Sequence, residues 1–68
     1  MTLDDQLLAA HATGDGCALV QLYSQAADET KDVDTACFYL THAYIFALEL
    51  GHPDTANLHR RLTAFGRV

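Results

Sequence analysis

The residues of this chain predict an all-α protein, a small antiparallel bundle or array of three to four helices at about 2–12, 17–28, 33–50 and 53–65. Three observations carry that expectation. The run VDTACFYLTHAYIFALEL at 33–50 is too long for an ordinary strand, is rich in Ala and Leu, and contains no Gly or Pro. Gly and Asp clusters at 13–16 and 51–54 divide the chain into pieces of helical length. Between 17 and 28, Leu19, Leu22, Tyr23 and Ala26 recur at the i, i+3, i+4, i+7 spacing of one helix face.

The first helix has Thr2 as its cap and Asp4 and Asp5 in its first turn, where the helix dipole favours negative charge. Leu3, Leu7, Leu8 and Ala10 give it a modest apolar face, and Gly14 stops it by taking a left-handed conformation. If this helix frays, three remain. Thr-Gly-Asp-Gly at 13–16 is a tight turn, with Asp15 placed to cap the second helix. Val20 and Ala27 widen the apolar face of that helix, while Gln21, Ser24, Gln25 and Asp28 lie opposite, toward water. The polar stretch DETKDVD is a connection or a frayed helix end, and Asp32 or Asp34 caps the next element.

The segment 33–50 is the central helix, because a helix that is apolar nearly all round has to be surrounded. Ala36, Leu40, Ala43, Ala47 and Leu50 share one stripe, whose small residues permit close approach by a neighbour. Tyr39 and Phe46 lie on one flank, and Cys37, Tyr44 and Leu48 on the other. The remaining face carries Thr41, His42 and Glu49 together with Phe38 and Ile45. Gly51 ends this helix, and Pro53 suits the first turn of the last one. There Leu58, Leu62 and Phe65 form the inner face, Asp54 sits at the start, Arg60 and Arg61 lie in the second half, and Gly66 closes the helix.

Sixty-eight residues make one small domain, 1–68. A chain of this size buries only about 60% of its unfolded surface, with a stability of roughly 3–10 kcal/mol. Chains this short often gain core by association. Cys17 and Cys37 are not a CxxC pair, and the opening MTLDD is acidic where a secretion signal is basic, so the expectation is a cytoplasmic protein with reduced thiols. Asp34, His42 and Glu49 interrupt the apolar run, which argues against a membrane span. The net charge of −5 argues against a nucleic-acid partner. Arg60, Arg61 and Arg67 are three of the four basic residues; Arg60 and Arg61 are expected to meet acidic groups such as Asp28, Glu29 or Asp32 rather than phosphate.

Residues 47–54, Ala-Leu-Glu-Leu-Gly-His-Pro-Asp, resemble the helix-to-helix junction of a tetratricopeptide repeat. Tyr44 and Ala47 match that family's aromatic and small positions, whereas Leu40 stands where it prefers Ala, and the turn holds one extra residue. The resemblance covers about residues 36–59. It implies a stack of α-hairpins whose groove takes a peptide or another protein. A repeat array normally needs about three repeats to bury a continuous core, so it also implies a four-helix mini-array or one completed by self-association.

No catalytic residue, cofactor or metal site is expected. His11, His42, His52 and His59 do not follow zinc-ligand spacing, although His52 and His59 are seven positions apart on or beside one helix. His42 with Glu49 has the composition of a general base, but no nucleophile or oxyanion donor accompanies it. Cys17 at a helix start has the placement of a reactive thiol. These three residues define the alternative reading, a small redox- or metal-dependent protein. The first reading is a non-enzymatic protein–protein interaction or self-association module, expected to form a homodimer or bind another protein through apolar helix faces. Its candidate interface residues are Phe38, His42, Ile45 and Glu49, since Phe38 and Ile45 place large apolar groups on the polar side of the central helix.

Overall fold

The computed structural model describes residues 2–67 and contains four helices: α1 (Leu3–Thr13), α2 (Gly16–Glu29), α3 (Val33–Leu50) and α4 (Thr55–Ala64). Each boundary has a local cause. The Asp5 amide donates to Thr2 Oγ1 at 3.1 Å at the start of α1. Gly14, at φ 68°, ends the helix, and the next amide, that of Asp15, reaches back to the Ala10 carbonyl. Asp15 then accepts the Ala18 amide at 3.1 Å and opens α2. Of the two candidate caps for α3 it is Asp32 that acts, taking the Asp34 amide and the Thr35 hydroxyl. Gly51, at φ 62°, closes α3 as Gly14 closes α1, with the His52 amide donating to the Ala47 carbonyl.

Both glycine caps are open to solvent, so their cost on substitution is conformational. Gly14→Ala is expected to destabilise by about 1–2 kcal/mol through the left-handed backbone alone. The same is expected at Gly51. Urea unfolding followed by circular dichroism reads this directly, and an unchanged midpoint would show that the turn tolerates a side chain.

Two boundaries differ from expectation. α4 begins at Thr55 rather than at Pro53: Pro53 and Asp54 belong to the preceding turn, which is held by the Thr55 amide and hydroxyl on the His52 carbonyl. Phe65 lies just past the helix as its C-cap and is 44% exposed, so the inner face of α4 is Leu58 and Leu62 alone. In the first helix, Leu8 points outward.

Among the described residues only helices adjacent in sequence pack backbone to backbone: α1 on α2, α2 on α3, α3 on α4. The Cα trace measures 32 × 28 × 12 Å, which is the outline of an array rather than of a bundle closed round an axis. The core is built on α3, whose Ala36, Cys37, Leu40, Ala43 and Ala47 meet Val20 and Ala27 of α2 and Leu58 and Leu62 of α4. Alanine at three of these α3 positions lets the neighbouring backbones come close. Ala10, Leu19 and Ala26 are buried outside this cluster, along the α1–α2 side. At the α2–α3 crossing a Cβ added to Gly16 would stand 2.7 Å from Leu50 Cδ1, so glycine there admits the Leu50 side chain.

Two ion pairs fasten the far side. Arg61 of α4 pairs with Asp28 of α2, one of the acidic partners expected from the sequence, and Arg67 pairs with Asp34 at the start of α3. The hydrogen bond to Asp34 holds the Arg67 guanidinium above its ordinary range. Among the described residues no helix is long and apolar enough to cross a membrane.

Candidate functional site

α3 is flanked by α2 and α4 and leaves a third side uncovered. On that side Phe38 is 58%, Ile45 48% and Leu48 53% exposed, with Thr41 also open to solvent. Phe38, Thr41, Ile45 and Leu48 follow one another at i, i+3, i+7 and i+10, the alternation of threes and fours that makes a coiled-coil seam. The stripe is about 15 Å long at 1.5 Å per residue. It contains no charged side chain, although the chain as a whole is acidic.

The four residues expected to form an interface are therefore arranged unequally. Phe38 and Ile45 stand in the open stripe. Glu49 is exposed beside it, at the rim of a cleft. His42 is half-buried and turned toward α2, where its ring stacks on Tyr23 with centroids 5.2 Å apart and planes 28° apart. Its Nδ1–H donates to the Phe38 carbonyl at 2.9 Å, which fixes the ring against its own helix. Phe38 packs on the same imidazole at 4.4 Å between centroids, so His42 supports the phenyl ring from behind.

Tyr23 is the centre of a half-buried aromatic cluster. Its hydroxyl shares a 2.8 Å hydrogen bond with His11 Nε2, and its ring meets those of Tyr39, His42 and Phe46. The cluster joins α1, α2 and α3 on one face of the array. Tyr23→Phe keeps every ring contact and removes only the partly exposed hydrogen bond, so a loss of at most about 1 kcal/mol is expected. Tyr23→Ala should cost clearly more in the same denaturation assay. Equal losses for the two variants would place the stabilisation in the hydroxyl and not in the stacking.

A cleft of about 320 Å³ opens where the end of α1, the start of α2 and the end of α3 meet, lined by His11, Gly14, Gly16, Leu19, Phe46, Glu49 and Leu50. That is the small end of the range for ligand pockets. Cys17 is an exposed free thiol in the first turn of α2, and Cys37 is buried in the core. The three residues of the redox or metal reading thus face different surroundings: His42 the Tyr23 stack, Glu49 the cleft rim, Cys17 the solvent. Among the described residues no three metal-binding side chains are grouped.

Sequence reasoning missed Leu48 and the Tyr23 cluster. Leu48 carried a signal, since it extends the Phe38–Ile45 spacing by three residues, but the wheel also placed it with Cys37 and Tyr44, toward a neighbouring helix. Only the position of α4 leaves it uncovered. The His11–Tyr23 contact spans a turn and two helices, and nothing local announces it. Comparison with family models, with curated proteins and with solved structures finds no match to this chain.

Proposed function

We propose that this is a non-catalytic interaction module of the cytoplasm that associates with itself through the outer face of α3. The observation that carries this reading is the uncovered Phe38–Ile45–Leu48 stripe, three large apolar side chains each about half exposed on one helix of a 68-residue protein. A contiguous apolar surface of this kind favours contact with another protein, because burying it removes apolar area from water at little polar cost. The negative charge of the chain speaks against nucleic acid as the partner. The α3–α4 hairpin around the Ala-Leu-Glu-Leu-Gly-His-Pro-Asp junction supports describing the array as tetratricopeptide-like, with self-association supplying the core that one and a half repeats lack.

Sedimentation velocity across a concentration series tests the proposal. The weight-average mass is expected to rise from monomer toward dimer with increasing protein concentration, in the micromolar range that a small interface supports. A monomer at all concentrations up to about a millimolar, well above that range, would remove self-association.

A further inference from the structure

We infer that α1 is a displaceable strap: it leaves the array as a unit, turning on Gly14 and Asp15 while α2, α3 and α4 stay folded, and its departure uncovers Leu19, Tyr23 and Phe46. This inference is independent of self-association.

α1 is held far less firmly than its neighbours. Of its 11 residues only Ala10 is buried, and that side chain is a single methyl group. Leu3, Gln6 and Leu7 are half-buried, and the others are exposed. By contrast α2 buries Leu19, Val20, Ala26 and Ala27, α3 buries five residues, and α4 buries two leucines. The cluster that joins α2, α3 and α4 contains no residue of α1. The two ion pairs lie elsewhere as well, at Arg61–Asp28 and Arg67–Asp34. What holds α1 is its packing on α2 and the contacts of His11: the 2.8 Å hydrogen bond with the Tyr23 hydroxyl and edge contacts with the Tyr23 and Phe46 rings. That hydrogen bond is open to solvent, so water replaces it at little net cost.

The junction is built so that opening breaks little. Only Gly14 and Asp15 separate the two helices. The end of α1 is closed on itself, since the Gly14 and Asp15 amides and the Thr13 hydroxyl all donate to carbonyls of α1. The start of α2 needs only Asp15, whose carboxylate accepts the Ala18 amide and whose carbonyl accepts the Leu19 amide. Neither cap requires the two helices to touch. A helix of fewer than about 12–15 residues is marginal alone in water, so α1 melts once it leaves. The seat it vacates is apolar: Leu19 is buried, and Tyr23 and Phe46 are half-buried against the core cluster. Leu19 and Phe46 also line the cleft that His11 and Gly14 wall on one side. α1 thus masks apolar side chains at the edge of the core, and local opening presents them to solvent.

Native-state hydrogen exchange, read amide by amide by nuclear magnetic resonance at rising but sub-denaturing urea, tests the inference. The amides of residues 7–13 are expected to exchange at least about tenfold faster than those of residues 40–47, as a separately opening unit does. They should share one opening equilibrium with a weak urea dependence, because little surface is exposed. Amides of α1 that match those of α3 in rate and in urea dependence would make the chain one cooperative unit and overturn the inference. Protection that falls steadily from the middle of α1 to its ends would mean fraying in place, which overturns it too. Ala10→Glu supplies a second reading, since glutamate keeps helix propensity but cannot seat a carboxylate against α2. In that variant the ring resonances of Tyr23 and Phe46 are expected to shift, while the methyl resonances of Leu40 and Ala43 and a cooperative urea transition persist. Loss of that transition would show that α2, α3 and α4 depend on α1, and the strap would be refuted.

Discussion

Leu40→Ala is expected to destabilise the protein by about 2–5 kcal/mol, the usual range for removing a fully buried leucine side chain. Leu40 has no solvent exposure and belongs to the one cluster in which residues of α2, α3 and α4 are buried together. The loss combines the transfer free energy of the removed groups with the cavity they leave, and flanking alanines at 36, 43 and 47 have no side-chain length with which to fill it. Against a total of roughly 3–10 kcal/mol for a chain of this length, the substitution should leave a substantial unfolded fraction at room temperature. Leu48→Ala, the same substitution eight residues further along α3, makes the contrast: at 53% exposure the isolated monomer should change by no more than about 0.5 kcal/mol. Urea melts of the two variants, monitored at low concentration, decide the matter. Similar losses for both would mean that α3 is not the centre of the core.

The second large effect concerns association. Phe38→Asp or Ile45→Asp puts a carboxylate into the middle of the proposed apolar contact, in a chain whose net charge is already −5. Each substitution is expected to weaken association at least tenfold, about 1.4 kcal/mol or more, and the pair together to leave monomer. Helicity should be almost unchanged, because both side chains are about half exposed and neither belongs to the buried cluster. Equilibrium sedimentation with far-ultraviolet circular dichroism on the same samples separates the two consequences. A double variant that dimerises like the parent would move the interface elsewhere. One that loses helicity would show that these side chains contribute to the fold itself.

Much of the fold is legible in the amino-acid sequence. Thr2, Gly14, Asp15 and Gly51 do what short-range capping chemistry requires: Thr2 and Asp15 accept amides three positions on, and the Gly14 and Gly51 amides donate to carbonyls three and four positions back. Most of the buried stripe of α3 was readable for a similar reason: with Ala36, Leu40, Ala43 and Ala47 on one side, only that side admits a close neighbour, whereas Leu50, the last member of the expected stripe, is 49% exposed at the helix end. The errors arose where two local preferences competed. Pro53 is suited to a first helical turn, but the His52 carbonyl accepts both the amide and the hydroxyl of Thr55, and the helix starts there. Phe65 continued the Leu58–Leu62 spacing by arithmetic, yet Gly66 at φ 72° turns the chain and leaves the ring outside.

The candidate surface was half legible. Phe38 and Ile45 stood out as apolar groups among polar ones, and both are open in the structure. His42 shared their side of the wheel, but its assignment depended on where α2 would place Tyr23, which is nineteen positions earlier in the chain.

Periodicity, capping residues and turn glycines were enough to specify four helices and the buried stripe of the third, because those features act over a turn or two of chain. Which sides of α3 its neighbours cover is a different kind of question. It depends on how α2 and α4 cross it, and those crossings are set jointly by side chains far apart in sequence, such as Gly16 against Leu50 and Arg61 against Asp28. Leu48 is exposed and His42 half-covered for that reason, since burial belongs to the assembled array and not to any single helix.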